Sequence, residues 1–183
     1  MKGTFLKKGF TLIELIIVIA IIAILAAAIF VAVDPARRFH EARNSRRWND
    51  VQTLLSAIKE NQTDAKGVLY STIASLANNE FALIGTDVDN LACRNSAAPY
   101  ATSAALCAAA PAAGIAADDC VNLSAIGSNY LARVPTDPQN GDAARTRYYV
   151  KKDANGAITV GACGPEGEGA GGSGAAPTVE LVR

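Results

Sequence analysis

The residues able to do chemistry in this 183-residue chain are few and widely spaced. One carboxylate, Glu14, stands inside a long run of apolar side chains, and the single histidine, His40, lies a short way beyond it. Asp137, Asp142 and Asp153 sit among turn residues, and four cysteines, Cys93, Cys107, Cys120 and Cys163, occupy the second half of the chain. A general base needs a partner within hydrogen-bond reach, yet His40 falls on what reads as a helical face near the apolar run. It therefore reads as a surface or interface residue. The P-loop, GxSxG and HExxH patterns are absent, and the glycines of residues 164–176 lack the strand–turn–helix setting that phosphate binding requires. No enzymatic activity is expected.

The cysteine spacings match no zinc pattern, and an even number fits two disulfides formed outside the cytoplasm. Three pairings are open. The sequential one, Cys93 with Cys107 and Cys120 with Cys163, is preferred; loop entropy alone would make these bonds worth roughly 3 and about 4 kcal/mol.

These groups depend on a small number of elements. Residues 10–33 read FTLIELIIVIAIIAILAAAIFVAV, in which Thr11 and Glu14 are the polar members. At about 1.5 Å per residue this helix is about 36 Å long, enough to cross a bilayer. A secretory signal would have a shorter apolar core followed by a small-residue cleavage site, for which the alanines at 26–28 could be mistaken, but it gives no reason for Glu14. A carboxylate near mid-bilayer costs roughly 2 to 3 kcal/mol, less near the interface, where a helix N-terminus also favours it. Glu14 is thus either a functional intramembrane acid or an interfacial one.

The joint motif Lys7-Lys8-Gly9-Phe10-Thr11-Leu12-Ile13-Glu14 resembles the class III leader of type IV prepilins and type II secretion pseudopilins. The resemblance implies that a membrane aspartyl peptidase, which is also the methyltransferase, cuts between Gly9 and Phe10 and that Phe10 is then N-methylated. Gly9 can lie extended in a protease cleft, and Lys7 and Lys8 hold the leader at the anionic cytoplasmic surface. Glu14 would then pair with the terminal amine of a neighbouring subunit. The implied partners are like subunits in a helical filament, minor pilins, an inner-membrane assembly platform and membrane lipid. The implied location is the cell membrane, with the head outside the cytoplasm, and afterwards an extracellular or periplasmic filament. A non-polymerising, single-span anchored binding module is the alternative.

Asp34-Pro35 predicts a kink, since proline removes a helical hydrogen bond and disfavours helix in the residue before it. The helix is expected to resume over 34–62, where Trp48, Val51, Leu55 and Ile58, with Leu54 beside them, form an apolar stripe for a sheet. Arg37, Arg38, Arg43, Arg46 and Arg47 make this flank more basic than the leader, and the positive-inside rule would place it in the cytoplasm. The resemblance and the cysteines point the other way. These arginines are expected to form a solvated or headgroup-contacting face, partly offset by Asp34 and Glu41, with a DNA-contacting stripe as the lesser alternative. The whole chain carries 17 basic and 17 acidic side chains, which gives no global case for nucleic acid.

Residues 63–120 read as a variable connecting region, with a short helical signal at 72–83 and an alanine-rich stretch at 97–117 broken by Pro99, Pro111 and Gly114. Residues 121–163 hold a short helix, the turn Pro135-Thr136-Asp137-Pro138 and a hairpin with strands at 148–152 and 157–160 about Asp153-Ala154-Asn155-Gly156. This order resembles the C-terminal half of many bacterial pilins and pseudopilins, in which a disulfide commonly closes that region, implying Cys120 with Cys163 here. The Asp137-Pro138 turn is similar to the calcium-binding region of major pseudopilins. Without EF-hand spacing, and because turn aspartates need no metal, no cofactor is expected, with calcium the minor alternative. Residues 164–176 are expected to be flexible, followed by an edge strand or a trailing end at 178–182. The expected fold is α+β: a long N-terminal helix, membrane-spanning in its first half and amphipathic in its second, packed on a small antiparallel C-terminal sheet.

Overall fold

A computed structural model describes residues 9–86, 102–108 and 120–183. The lysine-bearing leader before Gly9, together with Cys93, Pro99, Pro111 and Gly114, lies outside the described residues.

Helix α1 covers Leu12–Val33 and α2 covers Pro35–Asp64. The expected kink is a break one residue wide. Asp34 takes the left-handed conformation, with φ 46°, which aspartate tolerates better than most side chains and which suits a residue barred from helix by the following proline. Its carboxylate then accepts a bond from the Arg37 N–H at 3.4 Å and so caps α2, with Pro35 in the first turn, where its missing N–H is harmless.

Among the described residues, short helices follow at α3 (Ser71–Ala74), α4 (Ser103–Ala108) and α5 (Ser124–Tyr130). The strands are β1 (Phe81–Leu83), β2 (Tyr148–Lys152), β3 (Ile158–Ala162) and β4 (Glu180–Val182). They form one antiparallel sheet in chain order, with Ala82 opposite Val150, Val150 opposite Val160, and Val160 opposite Leu181. Residues 72–83 are thus not helical throughout. The chain turns at Asn79, φ 66°, and Phe81, Ala82 and Leu83 become a buried strand because β2 offers an unpaired edge.

The core is the face of α2 bearing Val51, Leu54, Leu55 and Ile58 packed on Tyr148, Val150, Ile158 and Val160. Each such side chain, fully buried, contributes about 1.5 to 3 kcal/mol. Trp48 lies at the edge of this stripe, 38% exposed. The β2–β3 turn is made as its residues suggest: Gly156 has φ 81°, and Asp153 Oδ1 accepts from the N–H groups of Asn155 and Ala157 at 2.8 and 2.7 Å.

Candidate functional site

The N-terminal end of α1 is a self-contained cap. Thr11 donates to Glu14 Oε2 from its backbone N–H at 2.8 Å and from its hydroxyl at 2.7 Å, while the Glu14 N–H reaches Thr11 Oγ1 at 3.3 Å. This is a capping box, in which two otherwise unmet helix donors are satisfied reciprocally. Phe10 is 88% exposed, and among the described residues no atom beyond its chain neighbours lies within 4 Å of the position a Gly9 side chain would take. The Gly9–Phe10 bond is therefore open to approach. Beyond it α1 buries none of its residues, and Glu14 is its single charge. By length and composition this helical stretch can cross a membrane, with mean hydropathy 3.4 over its most apolar window.

The arginine-rich start of α2 is a different kind of site. Arg47 is fully buried and forks onto Asp137, Nε to Oδ2 at 2.6 Å and Nη2 to Oδ1 at 3.2 Å. Its Nη1 donates to Glu166 Oε2 and to Asn44 Oδ1, both at 2.9 Å. Arg43 grips the same Glu166 with two bonds of 2.5 Å, and Asn44 donates to the Glu166 carbonyl and to Glu168 Oε1 at 2.8 Å each. His40 Nδ1 lies 2.8 Å from the Gly167 carbonyl oxygen, and the Gly171 N–H donates to Asp34 Oδ2 at 2.7 Å. Segment 164–174 is therefore strapped along α2 from Arg47 back to the break at Asp34. Polar groups on the helix meet both its glutamates and part of its glycine-rich backbone. Beyond it, residues 180–182 form the edge strand β4.

Hydrogen bonds from Arg43, and against some burial those from Arg47, hold the Glu166 carboxyl at about 2. Burial opposes the charged form of Arg47, but Asp137 and Glu166 outweigh it and raise its pKa. Burial likewise pushes Asp137 up, and Arg47 with the N–H groups of Gln139 and Asn140 reverses this, leaving it below the usual carboxylate range. The other arginines are also paired, Arg37 and Arg38 with Glu41 at 2.7 and 3.0 Å and Arg46 with Asp50 at 3.8 Å. The expected solvated cationic face is thus largely neutralised within the fold, and Arg47 is not solvated at all.

The turn aspartates do not converge. Asp137 is taken up by Arg47, Asp142 accepts from the Arg145 N–H at 2.7 Å, and Asp153 caps its own turn. Among the described residues no group of three or more His, Cys, Asp or Glu side chains is placed to hold a metal. A cavity of about 550 Å³ lined by Thr86, Ser124, Arg133, Val134, Asp142 and Thr146, among others, lies away from His40.

The disulfide pairing departs from the expectation. Cys107 on α4 is bonded to Cys163, just past β3, with 5.2 Å between their Cα atoms. Cys163 therefore does not pair with Cys120, nor Cys107 with Cys93. α4 packs over β1 beside Phe81, Leu83 and Tyr149, which brings Cys107 to the end of the hairpin. Cys120 is itself disulfide-bonded.

A family model for the prokaryotic N-terminal methylation motif matches residues 5–30. The chain carries a class III prepilin leader. This motif supports a type IV pilin-like precursor processed by prepilin peptidase, and the apolar α1 behind the leader fits a membrane-anchored precursor. No curated protein and no solved structure matches the chain.

Sequence reasoning missed the Arg47–Asp137–Glu166 network, although a signal was present. His40, Asn44 and Arg47 continue, at spacings of four and three, the stripe of Val51, Leu54 and Ile58, so they share the helix face that the core covers.

Proposed function

We propose that this chain is the structural subunit of a type IV pilin-like filament, a surface pilus or a secretion pseudopilus. Prepilin peptidase cuts between Gly9 and Phe10, Phe10 is N-methylated, and α1 passes from the membrane into the filament core. Like subunits, minor pilins and an inner-membrane assembly platform are its partners, and the head lies outside the cytoplasm. A disulfide-bonded head supports an oxidising compartment.

The observation that carries this reading is the lone Glu14 on a helix that buries nothing. Hydrogen bonds from Thr11 satisfy its oxygens in part, but they cancel no charge. Cleavage at Gly9 creates an ammonium at Phe10, and an intramembrane carboxylate and ammonium are each expensive until paired. Pairing Glu14 of an incoming subunit with the amine of one already assembled makes entry into the filament the step that neutralises both. Apolar packing alone discriminates poorly between helix registers in lipid, so this ion pair also sets the stagger.

Glu14→Ala tests the proposal. The leader should still be removed, while sheared surface or periplasmic filaments fall to none. Normal filaments from this variant would leave a monomeric, single-span anchored binding module as the better reading.

A further inference from the structure

The bond between Cys107 and Cys163 passes over Cys120, which is itself disulfide-bonded. Cys93, outside the described residues, is the one cysteine the sequence leaves for Cys120. The two bridges are then interlaced, because Cys107 lies inside the interval from 93 to 120 and Cys163 lies outside it. Neither bridge joins cysteines that are consecutive in the chain.

Chain statistics favour other pairs. In an unfolded chain the chance that two residues meet falls as about the three-halves power of their separation. Cys93 and Cys120 each stand about a quarter as far from Cys107 along the chain as Cys163 does, at 56 positions. Either short ring is thus closed about eightfold more readily than the native one. What makes Cys163 the right partner exists only after folding, when α4 docks over β1, Leu106 is buried with Phe81, Leu83, Cys120 and Tyr149, and Cys107 and Cys163 pack against that cluster. Oxidation ahead of docking leaves Cys107 in a wrong bridge. We propose that the Cys107–Cys163 bond is reached by thiol–disulfide exchange, and that this head needs an external thiol as a partner in its maturation, in addition to an oxidant.

A fully oxidised but wrongly paired chain cannot correct itself. With Cys93–Cys107 and Cys120–Cys163 both closed, it holds no thiolate to attack either bond. An external thiolate attacks Cys120 Sγ, the Cys120–Cys163 bond breaks, and Cys163 leaves as a thiolate. That thiolate attacks Cys107 Sγ and expels Cys93, which in turn attacks the mixed disulfide at Cys120 and expels the external thiolate. Three bonds form and three break, no electrons are gained or lost overall, and the thiol is regenerated. From Cys107–Cys120 with Cys93–Cys163, the same steps run with Cys93 and Cys120 interchanged. Cys107, Cys120 and Cys163 share one cluster, so folding gathers the exchanging sulfurs, and docking of α4 then ends the exchange by leaving Cys120 only 4% exposed.

The exchange is the same whether or not α1 enters a filament, so its failure would leave the proposed function standing. Refolding of the reduced full chain in detergent micelles tests it, with the pairs read by non-reducing peptide mapping and mass spectrometry. In one arm denaturant is removed in the presence of diamide, an oxidant that contains no thiol; in the other, in a mixture of reduced and oxidised glutathione. The diamide arm should give Cys107 bonded to Cys93 or Cys120 in most molecules. Reduced glutathione added to that product should then raise the Cys107–Cys163 fraction several-fold, to the level of the second arm. Predominant Cys107–Cys163 in the diamide arm would overturn the proposal, since folding would then guide the first oxidation. So would absence of that bond from the glutathione arm, or a wrongly paired product that glutathione leaves unchanged.

Discussion

Helices α1 and α2 are continuous but for one residue, yet they satisfy themselves in opposite ways. α1 has 22 residues, buries none of them, and keeps its single charge in a local hydrogen-bonded cap. α2 has 30 residues, and its inner face is covered end to end, apolar against the sheet from Val51 onward and polar against the strap from Arg47 back to His40. The first helix is incomplete alone and must find its partners in lipid or in other copies. The second is complete within one chain. Asp34 is the boundary, and the same side chain caps α2 and receives the strap.

The sharpest way to break this contrast is to set Arg47→Ala beside Glu14→Ala. Removing Arg47 strands Asp137 in the interior without a counter-charge, a loss of about 3 to 5 kcal/mol. Chemical denaturation of the full chain in micelles should show that loss for Arg47→Ala and none for Glu14→Ala, whose defect is confined to assembly. Equal destabilisation by the two would erase the distinction. Next in size is Cys107→Ser. With the bonded cysteines 56 positions apart, it should lower head stability by about 4 kcal/mol while leaving leader cleavage unchanged. Thermal melting with and without reductant measures this.

The smallest effect is acid release of the strap. Glu166 has a folded-state pKa depressed to about 2, so its contribution is present above the ordinary carboxylate range and is lost as pH falls from there through about 2. Proteolysis at about pH 3 to 2 by an acid-stable protease should therefore cut within 164–174 before it cuts the sheet. Cleavage of both together would contradict a strap held by ion pairs.

The parts of this arrangement that local chemistry determines were legible in the sequence. The leader and Glu14, the Asp34-Pro35 break, the apolar stripe of α2 and the Asp153–Gly156 turn each depend on neighbours a few residues away. What was not legible depends on distant partners. Phe81–Leu83 is a strand because β2 is there to pair with it. Cys107 meets Cys163 because α4 lies across that sheet, which no cysteine spacing reveals. Segment 164–174 has the composition of a flexible linker, and its holding groups are on a helix more than a hundred residues earlier. Even so, Arg47 stood on the core-facing stripe. A charge at such a position is a demand for a buried partner, and the aspartate of the Asp137-Pro138 turn meets it.

The central claim, that an exposed Gly9–Phe10 bond is cut and α1 becomes the core of a filament, has one direct test. Material sheared from intact cells is collected as filaments, and the subunit's intact mass and N-terminal sequence are read by mass spectrometry. The account requires a chain beginning at N-methylated Phe10 and ending with its cysteines oxidised. A chain beginning at Met1 or after Ala28, or no assembled material containing this protein, would contradict it.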